Sequence, residues 1–418
     1  MKCVFRRPFI VATVFLALLL SSAAIYAEPP KFSSSTQFLW GDDLLGDSQA
    51  IVAQYLRLSY TPDNKKFSVA GYGRLSKDFG SSSIRESDLT GRLYYLYLDY
   101  ALSDTVSLRL GRQFTNFTGG TAIVDGATVN INKAGPVGIT VSGGRDVRLG
   151  LDSELTRNGN YFAGVGVYLR EVPNLQLGVS YVVKYDESDL ARQALGLNAR
   201  YFYKGIVSPY AEIRYDWLSK AFDEASIGVD FFPIRNLMIK AEFYHSYPTF
   251  DATSIYSVFA VDKYREYLIK AEYSLAAPVS LFAAYARQTY EDSLNADKYM
   301  IGARVYPNDR LTVTASFDYR IGYAEYNGFT GETKGKLYGF EVTADYRLRK
   351  DLAVSAGVQY DTYNRPDILG TNNYARRYWL GGRWNATKSI AVSARVEDDD
   401  NPNFSHRMLG RVAVEWNL

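Results

Sequence analysis

Along almost the whole chain beyond its first thirty residues, apolar and polar positions alternate with period two, the spacing that puts successive side chains on opposite faces of a β-strand. In 174–185, Leu175, Leu177, Val179, Tyr181, Val183 and Tyr185 share one face, against Gln176, Gly178, Ser180, Val182 and Lys184. In 311–320, Leu311, Val313, Ala315, Phe317 and Tyr319 oppose Thr312, Thr314, Ser316, Asp318 and Arg320. In 338–347, Tyr338, Phe340, Val342, Ala344 and Tyr346 oppose Gly339, Glu341, Thr343, Asp345 and Arg347. The apolar face often has aromatic residues at both ends and small aliphatic residues between them, while the polar face is charged. A tilted strand from Tyr338 to Tyr346 climbs on the order of 20 Å, close to the roughly 25 Å apolar band of a membrane barrel. Stretches with helical periodicity are absent, and no run beyond the N-terminus is long and apolar enough for a spanning helix. The pattern predicts an all-β, transmembrane, antiparallel up-and-down barrel.

The connections sharpen this. Short turns fall at Pro62-Asp63-Asn64, Ser103-Asp104, Pro173-Asn174, Lys204-Gly205, Pro233-Ile234-Arg235-Asn236 and Ala277-Pro278, then at Pro307-Asn308-Asp309, Arg349-Lys350-Asp351 and Asn385-Ala386-Thr387. Longer polar loops are expected near 78–90, 150–159, 186–192, 246–262, 288–296, 324–335, 362–375 and 398–406. Short turns alternating with long loops match the periplasmic and exterior ends of such barrels. Counting back from a last strand at 407–418 gives a first clear strand at 48–61, running down. An upward strand within 33–42 would complete about 22 strands and leave both termini periplasmic. That strand and the Gly-rich pair 122–132 and 137–149 carry the weakest pattern, and 20 strands is the fallback count. Loop 246–262, the longest, is the expected constriction on length alone.

The N-terminus sets the compartment. Lys2, Arg6 and Arg7 precede an apolar run from Phe9 to Leu20, and small residues lead to Ala27. Residues 1–27 thus read as a cleaved secretory signal. Residues 28–47 form an N-terminal segment holding the candidate first strand, and 48–418 form the barrel. Cleavage removes Cys3, the single cysteine, so neither disulfide nor lipoprotein chemistry is expected. The remaining 44 basic and 45 acidic residues offer no basic surface for nucleic acid. The 35 tyrosines suit a lipid–water boundary, with the ring in apolar surroundings and the hydroxyl wet.

The ending Gly410-Arg411-Val412-Ala413-Val414-Glu415-Trp416-Asn417-Leu418 resembles the targeting signal on the last strand of outer-membrane barrels, closing on Leu where Phe is usual. Leu110-Gly111-Arg112-Gln113 followed by Val124-Asp125-Gly126 is similar to a stretch found in porin-like families. The resemblance to Gram-negative outer-membrane porin-type barrels implies insertion by the barrel-assembly machinery and a wide aqueous channel for passive diffusion of small hydrophilic solutes. Some large barrels instead sheathe a multihaem cytochrome and conduct electrons across the membrane. Lacking Cys-x-x-Cys-His, this chain could only be the sheath around a periplasmic or lumenal cytochrome. Neighbouring genes for multihaem cytochromes would discriminate the two.

The register assigns the pore lining to Arg109, Gln113, Arg148, Arg200, Glu212, Arg214, Asp216, Asp230, Lys240 and Glu242, and further along to Glu266, Lys270, Glu272, Arg304, Asp318, Arg320, Glu341, Asp345, Arg383, Arg395, Arg411 and Glu415. Interleaved signs predict weak ion selectivity, with many wall charges paired to each other. On the lipid-facing register, basic residues recur at the extracellular strand ends: Lys77, Arg92, Arg112, Arg145, Arg265, Arg287, Lys336 and Arg376. They are expected to form a girdle meeting lipopolysaccharide phosphates, or else to wet the rim through bulged strand ends. No cofactor or catalytic residue is expected. The two histidines, His245 and His406, fall near the rim without a nucleophile and orienting partner. Asp398-Asp399-Asp400 reads as a solvated acidic loop in preference to a cation site.

Overall fold

The computed structural model describes residues 30–43, 46–81, 89–150, 154–247, 263–276, 278–291, 295–325, 332–364, 374–401 and 404–417. The expected signal 1–27 and most of loop 246–262 lie outside them. The first strands are β1 Lys31–Asp42, β2 Ser48–Tyr60, β3 Phe67–Asp78, β4 Thr90–Ala101, β5 Val106–Phe117, β6 Gly120–Ala134 and β7 Val137–Asp146. Next come β8 Tyr161–Leu169, β9 Leu175–Asp186, β10 Asp189–Tyr201, β11 Val207–Asp216, β12 Ala221–Ile234, β13 Leu237–Ser246, β14 Tyr264–Ala276 and β15 Val279–Tyr290. The last are β16 Asn295–Asn308, β17 Leu311–Glu325, β18 Glu332–Arg349, β19 Leu352–Asn364, β20 Tyr374–Asn385, β21 Ile390–Asn401 and β22 Phe404–Asn417.

Every strand pairs antiparallel with its chain neighbours, and β1 pairs with both β2 and β22, so the sheet closes on itself with 22 strands. Closure pairs the first strand with the last, so neither end of the sheet is left as a free edge. The first strand forms within the segment where it was expected, and the Gly-rich pair forms β6 and β7.

The two faces of the wall differ as the alternation requires. Outward positions such as Ile269, Ile301 and Leu380 stay more than half exposed, because their solvent is lipid. On the same face Tyr285, Tyr299, Tyr319 and Tyr338 stand directly opposite one another on β15–β18, with ring centroids 5.1, 6.3 and 5.7 Å apart. Cross-strand neighbours project to one face at close spacing, so the row makes a continuous aromatic belt. Toward the rim opposite the chain termini, the Tyr285 hydroxyl donates to Asp297 at 2.8 Å, marking the step from apolar to polar surroundings.

The short–long alternation of connections breaks at several turns on the rim opposite the chain termini. Between β5 and β6 lie only residues 118 and 119, between β9 and β10 only 187 and 188, and between β11 and β12 only 217–220. The loop expected over 186–192 is thus a tight turn, with Glu187 and Ser188 both at positive φ as a two-residue hairpin demands. Likewise the loop expected at 398–406 is mostly strand.

Candidate functional site: the lumen and its inserted hairpin

The upper part of the β5–β6 hairpin leaves the wall and folds into the lumen. The ladder between β4 and β5 has six residue pairs and ends at Leu96 and Arg112. On the other side the β6–β7 ladder ends at Val124 and Asp146. Between those points residues 114–122 have ladder partners only within the hairpin, around the turn Thr118-Gly119. Gly111 sits at φ +119°, and a Cβ there would crowd the Tyr97 Cα at 3.1 Å, so the departure point needs glycine.

The tip docks on the inner face of β8–β11. Gly119 N donates to Ser180 Oγ at 2.9 Å, Thr118 Oγ1 to Asn198 Oδ1 at 3.1 Å, and Arg214 Nε to the Thr118 carbonyl at 3.0 Å. Beneath it Phe117, Ala122 and Val124 close an apolar cluster with Phe162, Val182 and Ala194 of the wall, all buried. Burying a phenylalanine this way contributes about 1.5–3 kcal/mol, comparable with the three hydrogen bonds together. The wall makes room by omission. A Cβ on Gly164 would stand 2.6 Å from the Phe117 ring, one on Gly166 3.1 Å from it, and one on Gly196 would collide with the tip's backbone. Phe114, Asn116 and Thr121, on the hairpin's other face, remain exposed.

The wall charges largely pair within the wall. Lys240 Nζ lies 2.9 Å from Glu242, which also accepts from the Tyr210 hydroxyl and from Ser226 Oγ at 3.2 Å. Arg200 meets Asp230 at 3.6 Å and stands 4.8 Å over the Tyr210 ring. Arg214 reaches Asp223 at 3.2 Å and Glu224 at 3.4 Å. Lys270 pairs with Glu272, Arg383 with Glu415 and Arg395 with Glu397. Arg148 reaches Asp146 and Asp186, and Arg320 donates to the Tyr290 hydroxyl at 3.1 Å. Tyr264 and Gln288 donate to Glu266. Glu212 stands opposite Asn198 and Ser226, Arg304 opposite Ser280 and Thr314, Glu341 opposite Ser316 and Gln359, Asp345 opposite Thr312 and Ser355, and Arg411 opposite Leu39 and Arg395. Asp318 shares a face with Gly339, where a Cβ would stand 2.9 Å from its carboxylate. Two assignments change. Gln113 is fully buried at the hairpin base, because the strand bends inward there, and Asp216 is spent capping the 217–220 turn through Leu218 N and Ser219.

A different surface lines β2–β5. Tyr72 stacks on Tyr55 at 6.1 Å and Tyr94 at 5.0 Å, and Tyr95 follows at 5.7 Å. Arg57 stands 5.1 Å over the Tyr72 ring. Arg109, bidentate to Asp99 at 2.7 and 2.9 Å, stands 4.1 Å over Tyr97. Below this, a recess of about 270 Å³ opens between Ser33, Ser35 and Gln37 of β1 and Tyr55, Arg57 and Tyr72, with Glu415 at its border.

At the rim opposite the chain termini the basic residues have separate fates. Arg112 bonds Asp125 at 2.7 and 2.8 Å, the Leu93 carbonyl and Glu154. Arg287 pairs with Asp297 at 2.7 Å and Arg376 with Asp400 at 2.6 Å. Lys77 stands over the Phe79 ring at 5.2 Å. Arg92 departs from the expected outward register. A bulge makes Tyr94 an extra residue against β3, so Arg92 pairs with Arg74 on the lumenal face and donates to the Gly150 carbonyl. Arg145, Arg265 and Lys336 have no carboxylate within ion-pair distance among the described residues. Asp398–Asp400 lie in β21, where Asp399 pairs with Arg377 at 2.7 Å, so the acidic triplet is strand. His245 stands opposite Arg265, and His406 lies 3.5 Å from Asp398. No group of three potential metal ligands occurs among the described residues.

No protein-family model and no curated protein matches the sequence. Solved structures do. The chain is similar to the ferric enterobactin receptor PfeA of Pseudomonas aeruginosa, at 10% identity and TM-score 0.61 over 93% of this chain and 80% of that one. It is similar to the siderophore receptor PirA of the same organism, at 11% identity and TM-score 0.58 over 94% and 81%. It is also similar to the P pilus usher PapC translocation pore, at 11% identity and TM-score 0.53 over 93% and 99%. The likeness is one of fold: a closed antiparallel barrel of the outer-membrane type.

Proposed function

We propose that this chain is an outer-membrane channel for passive diffusion of small hydrophilic solutes, with both termini periplasmic and the bore set by the β5–β6 hairpin. The observation that carries the reading is the docked tip. A ring of 22 strands encloses more space than the 16 to 18 that already leave an aqueous channel. A wall-derived element held by three hydrogen bonds and an apolar cluster narrows that space and needs no separate plug. The polar, mutually paired lumen face supports a wetted passage of weak ion selectivity.

Single-channel recording of the refolded mature protein tests this, beside a variant with 113–123 replaced by a tight turn. Stable steps are expected from the native barrel, and larger steps from the shortened one. Silence from both, when correctly inserted, would remove the diffusion reading. The lipopolysaccharide contact narrows under the same reading to Arg145, Arg265 and Lys336, since Arg112, Arg287 and Arg376 already hold carboxylates. Neutralising those three should lower lipopolysaccharide co-purification more than neutralising the paired three.

A further inference from the structure

We infer that the tyrosine–arginine stripe on the lumenal face of β2–β4, with the recess below it, is a binding subsite for anionic solutes that carry a planar face. The inference rests on the channel reading and names the kind of solute that lingers in it.

Tyrosines are expected on the lipid side of such a barrel, at its two interfaces. This cluster faces the other way. Tyr55 and Tyr72 border the lumenal recess, and Tyr94 and Tyr95 extend the same packed group along β4. The register interleaves two cations with the rings: Arg57 stands directly opposite Tyr72, and Arg74 directly opposite Tyr55. Neither guanidinium has a carboxylate partner among the described residues, and Arg74 Nε is buried without a hydrogen-bond acceptor.

Most cations of this lumen are paired instead. On the same wall Arg109 is saturated by Asp99, and the acid at the recess border, Glu415, is taken by Arg383 at 2.6 Å. A buried guanidinium N–H left without an acceptor costs about 1–3 kcal/mol, which a bound anion would recover. Guanidinium groups bind carboxylates through paired N–H donors, and tyrosine faces bind flat apolar bodies. One solute can use both only if its charge and its plane are adjacent. Ser33 and Ser35 add hydroxyls at the floor of the recess, and its volume of about 270 Å³ suits a single ring.

The experiment is calorimetric titration of the full mature barrel in detergent with sodium benzoate, sodium acetate and benzyl alcohol. These probes supply charge with plane, charge alone and plane alone. Benzoate is expected to bind about tenfold more tightly than either of the others. R57Q/R74Q should remove that advantage and leave benzyl alcohol unchanged, while Tyr72→Ala should weaken benzoate and leave acetate unchanged. Heat-modifiable migration on gels confirms that each variant is folded. Benzoate binding no tighter than acetate or benzyl alcohol overturns the inference, as does full benzoate affinity in folded R57Q/R74Q. Because the titration needs no current, the two readings fail separately. A conducting barrel without benzoate preference removes this inference alone, and a silent barrel that prefers benzoate removes the channel reading alone.

Discussion

Two stretches of the inner wall, β8–β10 and β15–β20, both contain glycines at lumen-facing positions, and they use the vacated space in opposite ways. On β8–β10 the room above Gly164, Gly166 and Gly196 is filled by Phe117 and the tip backbone, from a hairpin that is not their neighbour in the sheet. On β15–β20 the room above Gly302 is filled by the Phe282 ring and that above Gly357 by the Trp379 ring, each from the adjacent strand. The first wall is shaped to receive an insert; the second covers its own gaps with aromatic side chains, a device that restores packing around strand glycines. The same residue in the same register therefore means different things, and what separates them is whether the occupant can move aside.

The largest effect is expected from Gly196→Val, because its side chain would meet the backbone of Thr118 and Gly119, which cannot rotate away. Overpacking of about 3 kcal/mol should undock the tip. Step conductance should then approach that of the shortened hairpin, with faster hydrogen exchange across 113–123. Unchanged conductance and exchange would break the distinction between the two walls. Phe117→Ala comes next: it empties the site above Gly164 at a cost of about 3 kcal/mol but leaves the three hydrogen bonds, so the tip should flicker, read as open-state current noise. Arg214→Ala removes the donor to Thr118 while Asp223 keeps Arg192 at 2.6 Å, so about 1–2 kcal/mol of docking should be lost and the noise should rise less. Gly357→Ala should do least. Its obstacle is the Trp379 side chain, which can tilt, so a cost below about 1.5 kcal/mol and unaltered conductance are expected.

The outward face was the legible half of this molecule. Lipid demands an apolar register, and residues such as Phe317, Phe340 and Leu380 obey it, so the later strands could be counted from alternation and turn spacing, and the strand before residue 48 followed from parity. The lumen has no such demand, since water and paired charges both satisfy it. Two things escaped for that reason. The bulge at Tyr94 reverses the faces above it and carries Arg92 inward, although nothing in the local pattern marks an extra residue. The hairpin tip escaped because 113–123 shows no clean alternation, with Phe114 and Phe117 on opposite faces, and nothing in it distinguishes a strand that leaves the wall from an ordinary connection. Its signal lay elsewhere, in Phe162, Gly164 and Gly166, where three successive lumenal positions carry no polar group in a barrel whose lumen is rich in charged and hydroxyl-bearing side chains. Loop length pointed instead to 246–262, most of which lies outside the described residues. Asp398–Asp400 misled by composition: acidic runs usually sit in loops, but here Arg376 and Arg377 on β20 make a strand tolerable.

The bond from Arg214 to the Thr118 carbonyl spans 96 residues of chain. Contacts of that separation form late, since the intervening chain must first be ordered. Whichever end of the barrel is laid down first, the tip has no seat until β8–β11 stand side by side. Until then the Phe117 ring is an uncovered apolar knob at the end of an eleven-residue lever. Docking of the tip is therefore expected as a late event, an internal latch that closes only once its seat on β8–β11 is built.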